Sequence, residues 1–89
     1  MTENVIRLLI VDDHTLFREG LRAIFLAVTD IEVVGEAASG EEAIEKAAQL
    51  KPHVILMDIQ MGEMNGIEAA GYVLERLPDT KIIMLMMME

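Results

Sequence analysis

Three carboxylates stand where they could do chemistry. Asp12 and Asp13 follow directly on the run Ile6-Arg7-Leu8-Leu9-Ile10-Val11, and Asp58 follows on Val54-Ile55-Leu56-Met57. Acids that repel one another need a reason to be gathered: two unit charges about 4 Å apart cost about 4 kcal/mol at an effective dielectric of 20. A hard divalent cation offsets that repulsion most directly. Mg2+ takes one or two carboxylates and keeps waters or phosphate oxygens as its other ligands. A carboxylate beside such an ion has a second use, since it can attack a phosphoryl group and become an acyl phosphate. Positioning and charge neutralisation carry most of that reaction. Asp58 suits the acceptor, because it stands alone after four apolar residues and before Ile59-Gln60-Met61-Gly62-Glu63-Met64-Asn65-Gly66. Asp12 and Asp13 suit the metal. The plain competing account is that Asp caps helices and favours turns, and Asp13 could cap a helix running through Phe17. That account covers one acid easily and acids at two strand ends poorly.

These acids meet only if the strands that carry them are neighbours. Residues 6–11 read as a buried strand stopped by Asp12-Asp13. Phe17, Leu21, Ile24, Phe25 and Val28 then recur at helical spacing, with Arg18, Glu19 and Arg22 on the other face. Gly20 inside that helix costs roughly 1 kcal/mol against alanine. Residues 31–38 read as a second strand, less apolar and so expected at an edge. Ser39-Gly40-Glu41-Glu42 has the capping-box pattern and opens a helix with the stripe Ala43, Ile44, Ala47 and Ala48, stopped by Lys51-Pro52. Residues 54–57 are apolar throughout, as a central parallel strand should be. Asn65-Gly66-Ile67-Glu68 caps a third helix with the stripe Ile67, Ala70, Leu74 and Leu77. Pro78-Asp79-Thr80 is a turn, and 81–85 a fourth strand. The order β-α-β-α-β-α-β with right-handed crossovers predicts an α/β fold: a doubly wound parallel sheet with helices on both faces. A strand order of 2-1-3-4 brings the acids together beyond the strands' carboxyl ends, where such sheets bind ligands.

The composition narrows the function. Eighty-nine residues make one small domain. With 53% hydrophobic residues and a mean hydropathy of +0.37, disorder is excluded. No apolar run approaches the ~20 residues of a membrane span, and Met1-Thr2-Glu3-Asn4 lacks a signal-peptide pattern. There is no cysteine for a disulfide or a thiolate metal site. A cytoplasmic protein without a membrane partner is expected. Seven basic against sixteen acidic residues give a net charge of −9 and a pI near 4.5. The chain itself is therefore expected to bind no nucleic acid, which needs a basic footprint.

The chain resembles the receiver domain of bacterial two-component response regulators. The resemblance rests on Leu8-Leu9-Ile10-Val11-Asp12-Asp13-His14, on Val54-Ile55-Leu56-Met57-Asp58-Ile59-Gln60-Met61, and on Met64-Asn65-Gly66. Asp12-Asp13-His14 with Phe17-Arg18-Glu19-Gly20-Leu21 and Val33-Val34-Gly35-Glu36-Ala37 is similar to the NarL/FixJ-type subgroup, in which a C-terminal helix-turn-helix domain binds DNA. The resemblance implies a flavodoxin-like fold and a phosphoacceptor, Asp58, served by a sensor histidine kinase. It implies an acidic pocket of Asp12 and Asp13. Mg2+, with Mn2+ as a substitute, would be bound directly by Asp13, Asp58 and the backbone carbonyl of Gln60, and by Asp12 through water. The Gln60 side chain would sit where attacking water enters. Such a module is no enzyme, beyond slow self-catalysed phosphorylation and dephosphorylation. The whole of 1–89 is expected to be receiver, without an output domain and incomplete at its C-terminus: roughly three quarters of a unit on the ~120-residue scale of a single domain.

Three departures from the family pattern stand out. Gly62 replaces a usual Pro and is expected to loosen its loop. Met86 stands where the fourth strand normally ends in Thr or Ser, and a thioether cannot donate a hydrogen bond. The fifth strand, with the Lys that pairs with the phosphoryl group, is not reached by Glu89, and Lys81 begins its strand at the wrong end to replace it. Residues 81–88 are then expected to form an unprotected apolar edge, and such edges pair with other chains. A homodimer or higher assembly through the fourth strand is the expectation. Met86, Met87 and Met88 otherwise read as strand continuation. His14 is expected only to flank the pocket, because Mg2+ prefers oxygen. His53 and Tyr72 are expected at the surface. Two rival readings remain. An Asp-nucleophile phosphatase of the haloacid-dehalogenase type needs a second acid two residues on, where Gln60 stands. A switch-incompetent receiver that only assembles draws support from Met86 and the missing Lys.

Overall fold

Among the described residues the apolar runs form strands and the helically spaced segments form helices, except that the fourth strand stops at Leu85 and Met86 does not continue it as expected. The computed structural model describes residues 4–86. The chain runs β1 (Ile6–Val11), α1 (Thr15–Leu26), β2 (Ile31–Ala37), α2 (Gly40–Leu50), β3 (Val54–Asp58), α3 (Gly66–Arg76) and β4 (Lys81–Leu85). The strands form one sheet in the order β2-β1-β3-β4, and every pairing is parallel. This is the expected doubly wound α/β architecture. Met87 and Met88, part of the expected strand continuation, lie outside the described residues.

The two central strands carry the core. Leu8, Leu9, Ile10 and Val11 of β1 and Ile55, Leu56 and Met57 of β3 are all buried, as strands covered on both faces must be. Side chains alternate between the faces. Leu9, Val11, Ile55 and Met57 point toward α2 and α3, where Ala43, Ala47, Ala69, Val73 and the loop residue Met61 close over them. Leu8, Ile10 and Leu56 point the other way, toward Leu21 and Phe25 of α1.

The helices start and stop on local signals. Ser39 caps α2 by accepting the Glu42 N–H, while the Glu42 carboxylate takes the Ala38 N–H. Lys51 ends α2 in the left-handed cap conformation, and Pro52 follows. Asn65 and Glu68 form a complete capping box at the start of α3. α1 lacks such a device: its N-cap is His14, with no side-chain bond, so Asp13 does not cap it.

Two expected apolar stripes are corrected. On α3 the buried residues are Gly66, Ala69, Ala70 and Val73, while Ile67 is 62% exposed and Leu74 is also exposed. The first turn of α3 presses so tightly on the end of β3 that no Cβ fits at Gly66, and Ala69, Ala70 and Val73 follow it on the inner face. On α1 no residue is fully buried; Ile24 is 63% exposed, and Val28, expected on the same stripe, lies past the helix end at Leu26 and is exposed. Among the described residues a single helix covers this flank, and of its apolar side chains Leu21 and Phe25 pack on the sheet. Ala48 of α2 is likewise exposed.

Candidate functional site

The register of the central pair builds the site. Val11 lies opposite Met57, so the next residues, Asp12 and Asp58, stand side by side at the carboxyl end of the sheet. Asp12 is 1% exposed and Asp58 2%, whereas Asp13 and His14 are exposed. One ligand atom from each of Asp12, Asp13, His14 and Asp58 can be chosen so that all lie within 4.8 Å of one another. The sequence reading thus finds its acidic trio assembled, with His14 joined to it. The His14 Nδ1 stands 3.0 Å from Asp12 Oδ1 and 2.9 Å from Asp13 Oδ1.

The charges are poorly compensated. Asp12 Oδ1 accepts the His14 backbone N–H at 2.8 Å, but Asp12 Oδ2 is buried with no hydrogen-bond partner among the described residues. A buried carboxylate oxygen without a partner is costly. Burial pushes the Asp58 carboxyl above the usual range, and the charges of Asp12 and Asp13 add to this. The Gln60 N–H, donating to Asp58 Oδ1 at 3.2 Å, works against both. Beside this negative charge the His14 imidazole is raised above its ordinary value, chiefly by its bond to Asp12 and then by the Asp13 charge. Three carboxylates, one of them with an orphaned buried oxygen, are a donor set that fits a hard divalent cation.

Two contacts fix the loops that carry these acids. Gly66 donates its N–H to the Ile59 carbonyl at 2.8 Å. A Cβ at Gly66 would fall 2.3 Å from the Asp58 carbonyl oxygen, so only glycine lets α3 begin against the backbone of Asp58. On the other side, the Arg18 guanidinium donates to the Asp12 carbonyl oxygen and to Glu36 Oε1 at 3.1 Å. Sequence reasoning put Arg18 on the solvent face of α1 and missed this role. The available signal was Glu36 near the end of the neighbouring strand, an acid placed to receive a guanidinium.

The remaining candidates fall as follows. Gln60 is exposed. Gly62 takes φ +38°, a value closed to proline, whose ring holds φ near −65°. A proline could not take this backbone conformation, so the glycine gives this loop a course of its own. Leu85 pairs with Asp58, so Met86 follows at the same end of the sheet, exposed. Lys81 opens β4 at the far end. His53 and Tyr72 are exposed as expected, and the His53 Nδ1 accepts the Arg7 N–H.

A family model for the response regulator receiver domain matches residues 8–89. The chain belongs to the response regulator receiver family. The response regulator protein VraR of Staphylococcus aureus is 50% identical over 80 residues, which are 90% of this receiver and 38% of that protein. The response regulator domain of Thermotoga maritima CheB superposes with a TM-score of 0.88 at 48% identity, covering 92% of this chain and 60% of that one. A LuxR-family two-component response regulator from Aurantimonas superposes with a TM-score of 0.90 at 29% identity, over 96% and 61% of the two chains. VraR and the LuxR-family neighbour fit the NarL-type subgroup expected from the motifs. The receiver spans about two fifths of the length of the curated relatives it matches. Among its described residues no helix is long and apolar enough to cross a membrane.

Proposed function

We propose that this receiver accepts a phosphoryl group on Asp58 from a sensor histidine kinase. In this reading Asp13, Asp58 and the backbone carbonyl of Gln60 hold Mg2+, or Mn2+ in its place, and Asp12 holds it through water. The bound cation would neutralise charge on the phosphoryl oxygens. The carrying observation is the buried Asp58 carboxylate beside Asp12 and Asp13, with Asp12 Oδ2 lacking a partner. An Asp58 carboxylate oxygen attacks phosphorus, the bond from phosphorus to the donor histidine's nitrogen breaks, and that nitrogen keeps the electron pair. The Gln60 side chain borders the path of the water that later hydrolyses the acyl phosphate, so turnover is slow and self-catalysed.

Residues 1–89 act as the receiver unit of a longer cytoplasmic regulator whose output domain binds DNA, and phosphorylation of Asp58 governs that output. The Staphylococcus aureus and Aurantimonas relatives support this. Self-association through β4 is part of the proposal: β4 is an edge strand among the described residues, with Ile83 exposed on it and Met86 exposed just beyond its end. A specific observation keeps a second reading open. Met86 follows the residue paired with Asp58, and its thioether donates no hydrogen bond to a phosphoryl oxygen. A receiver that assembles but switches poorly would follow.

Incubation with acetyl phosphate and Mg2+, then mass mapping, tests the acceptor. Phosphate on Asp58, abolished in Asp58→Asn, is the expected result; phosphate on another residue sinks the assignment. Met86→Thr should raise the yield, because a hydrogen bond to a charged group contributes roughly 1.5–3 kcal/mol. An unchanged yield and unchanged light scattering on phosphorylation would favour the assembly-only reading.

A further inference from the structure

His14 is the polar side chain of the pocket that the phosphoacceptor reading leaves unused. It stands just before α1, and its ring turns back over the acids. Nδ1 lies 3.0 Å from Asp12 Oδ1 and 2.9 Å from Asp13 Oδ1. It belongs with oxygens of Asp12, Asp13 and Asp58 to a group whose ligand atoms span no more than 4.8 Å. Nδ1 carries at most one proton yet faces two carboxylate oxygens. A proton can be well aligned toward only one of them; a metal ion serves both. Adjacent ligands of an octahedral ion bound at ~2.0–2.1 Å stand ~2.9–3.0 Å apart, and Asp13 Oδ1, a direct ligand in the phosphoacceptor reading, lies at that spacing from Nδ1. The buried, unpartnered Asp12 Oδ2 is an independent sign that a cation belongs here.

We infer that His14 is a direct nitrogen ligand of the pocket's cation and shifts the site's preference from Mg2+ toward first-row transition ions such as Mn2+ and Co2+. The inference rests on the reading of the pocket as a divalent-cation site. Oxygen ligands suit Mg2+, whereas imidazole suits transition ions and adds to their affinity along the first-row series. His53, the other histidine, precedes β3 at the opposite end of that strand and takes no part. The His14 side chain is 66% exposed, so its truncation removes a ligand without opening the core.

The test is a titration of the purified full chain with MgCl2, MnCl2 and CoCl2 by calorimetry, together with pulsed electron paramagnetic resonance of the Mn2+ complex. The expected result is Mn2+ and Co2+ binding about ten-fold or more tighter than Mg2+, with a nitrogen hyperfine coupling on bound Mn2+. In His14→Ala the coupling disappears, and the Mn2+ to Mg2+ affinity ratio falls by about ten-fold. A ratio and a resonance signal unaffected by His14→Ala overturn the inference, and so does a wild-type Mn2+ complex without nitrogen coupling. Asp13→Asn separates this failure from that of the pocket itself. It should weaken all three ions; if it weakens none, the acidic pocket is not the cation site and the inference falls with it.

Discussion

The two faces of the sheet are held by different means. Toward α2 and α3, alanines and Val73 close over Leu9, Val11, Ile55 and Met57, and α3 starts on a full capping box. Toward α1, three buried strand residues meet a helix with none of its own. A fully apolar cleft of about 230 Å3 stays open there, between residues such as Phe25, Leu56 and Ile83. What fastens α1 is polar: Arg18 and Arg22 converge on Glu36, at 3.1 and 2.7 Å, and Arg18 also binds the Asp12 carbonyl. One face is fixed by volume and the other by charge. The acidic pocket draws a loop from each, so its Asp58 side should be insensitive to salt and its Asp12 side responsive.

The largest expected contrast is in core truncation. Leu9→Ala, on the closed face, should cost about 3–5 kcal/mol, and Phe25→Ala, on the partly open one, about half of that, because its side chain leaves less buried space behind. Urea denaturation of both variants measures the difference, and equal losses would break the comparison. The same substitution on two helices should next give opposite signs. Gly66→Ala drives a Cβ into the Asp58 carbonyl and should cost about 1–3 kcal/mol. Gly20→Ala meets nothing within 4 Å and should stabilise by up to about 1 kcal/mol, as an exposed helix-interior glycine allows. Melting temperatures decide this; a stabilising Gly66→Ala would refute the close approach.

Smaller effects come from charge. The folded Asp58 has a raised pKa, so its ionisation costs stability as pH rises through the window from its ordinary value of 3.8 to the folded one. Asp58→Asn should therefore stabilise the metal-free protein at neutral pH by on the order of 1 kcal/mol, about 4–8 °C for a domain of this size. The gain should vanish below that window in a pH series of melts. Glu36 has the opposite sign. Its carboxyl is held below its usual 4.5, first by its bond to Arg22 against the cost of burial, then by Arg18. The stabilisation it brings is complete above 4.5 and is lost as pH falls through the folded value. Glu36→Gln should cost less than about 1 kcal/mol, and added salt should shrink that loss. A salt-independent loss would mean that packing, not charge, fastens α1.

The sequence made the element order and the acidic trio legible because both are local. A strand of period 2 or a helix of period 3.6 is written within a few residues, and an aspartate after an apolar run marks a strand end. What stayed hidden depends on distant backbone. Ile67 and Leu74 look like the apolar stripe of α3, but the approach of Gly66 to Asp58 turns the small residues inward. Arg18 looks like a solvent-face residue until β2 brings Glu36 beside it. His14 looks like a bystander until the turn after Asp13 folds its ring over the carboxylates. Gly62 reads as a lost proline, and only the fold shows that its backbone takes a positive φ that proline cannot adopt.

The strand order has a further consequence for how the molecule comes into being. β1 is made first but sits between strands made later: its pairing with β2 begins at Ile31, and with β3 at Val54. No stretch of β1 can satisfy its backbone locally, and each partner must close a long loop before any hydrogen bond rewards it. Such topologies fold slowly. The Asp12 side of the pocket thus exists as chain well before Asp58 joins it, and the complete pocket belongs to a late step of assembly. A ligand that needs acids from both sides of that crossover binds the finished sheet and not its precursors. The proposed cation's concentration then becomes a thermodynamic lever on folding itself.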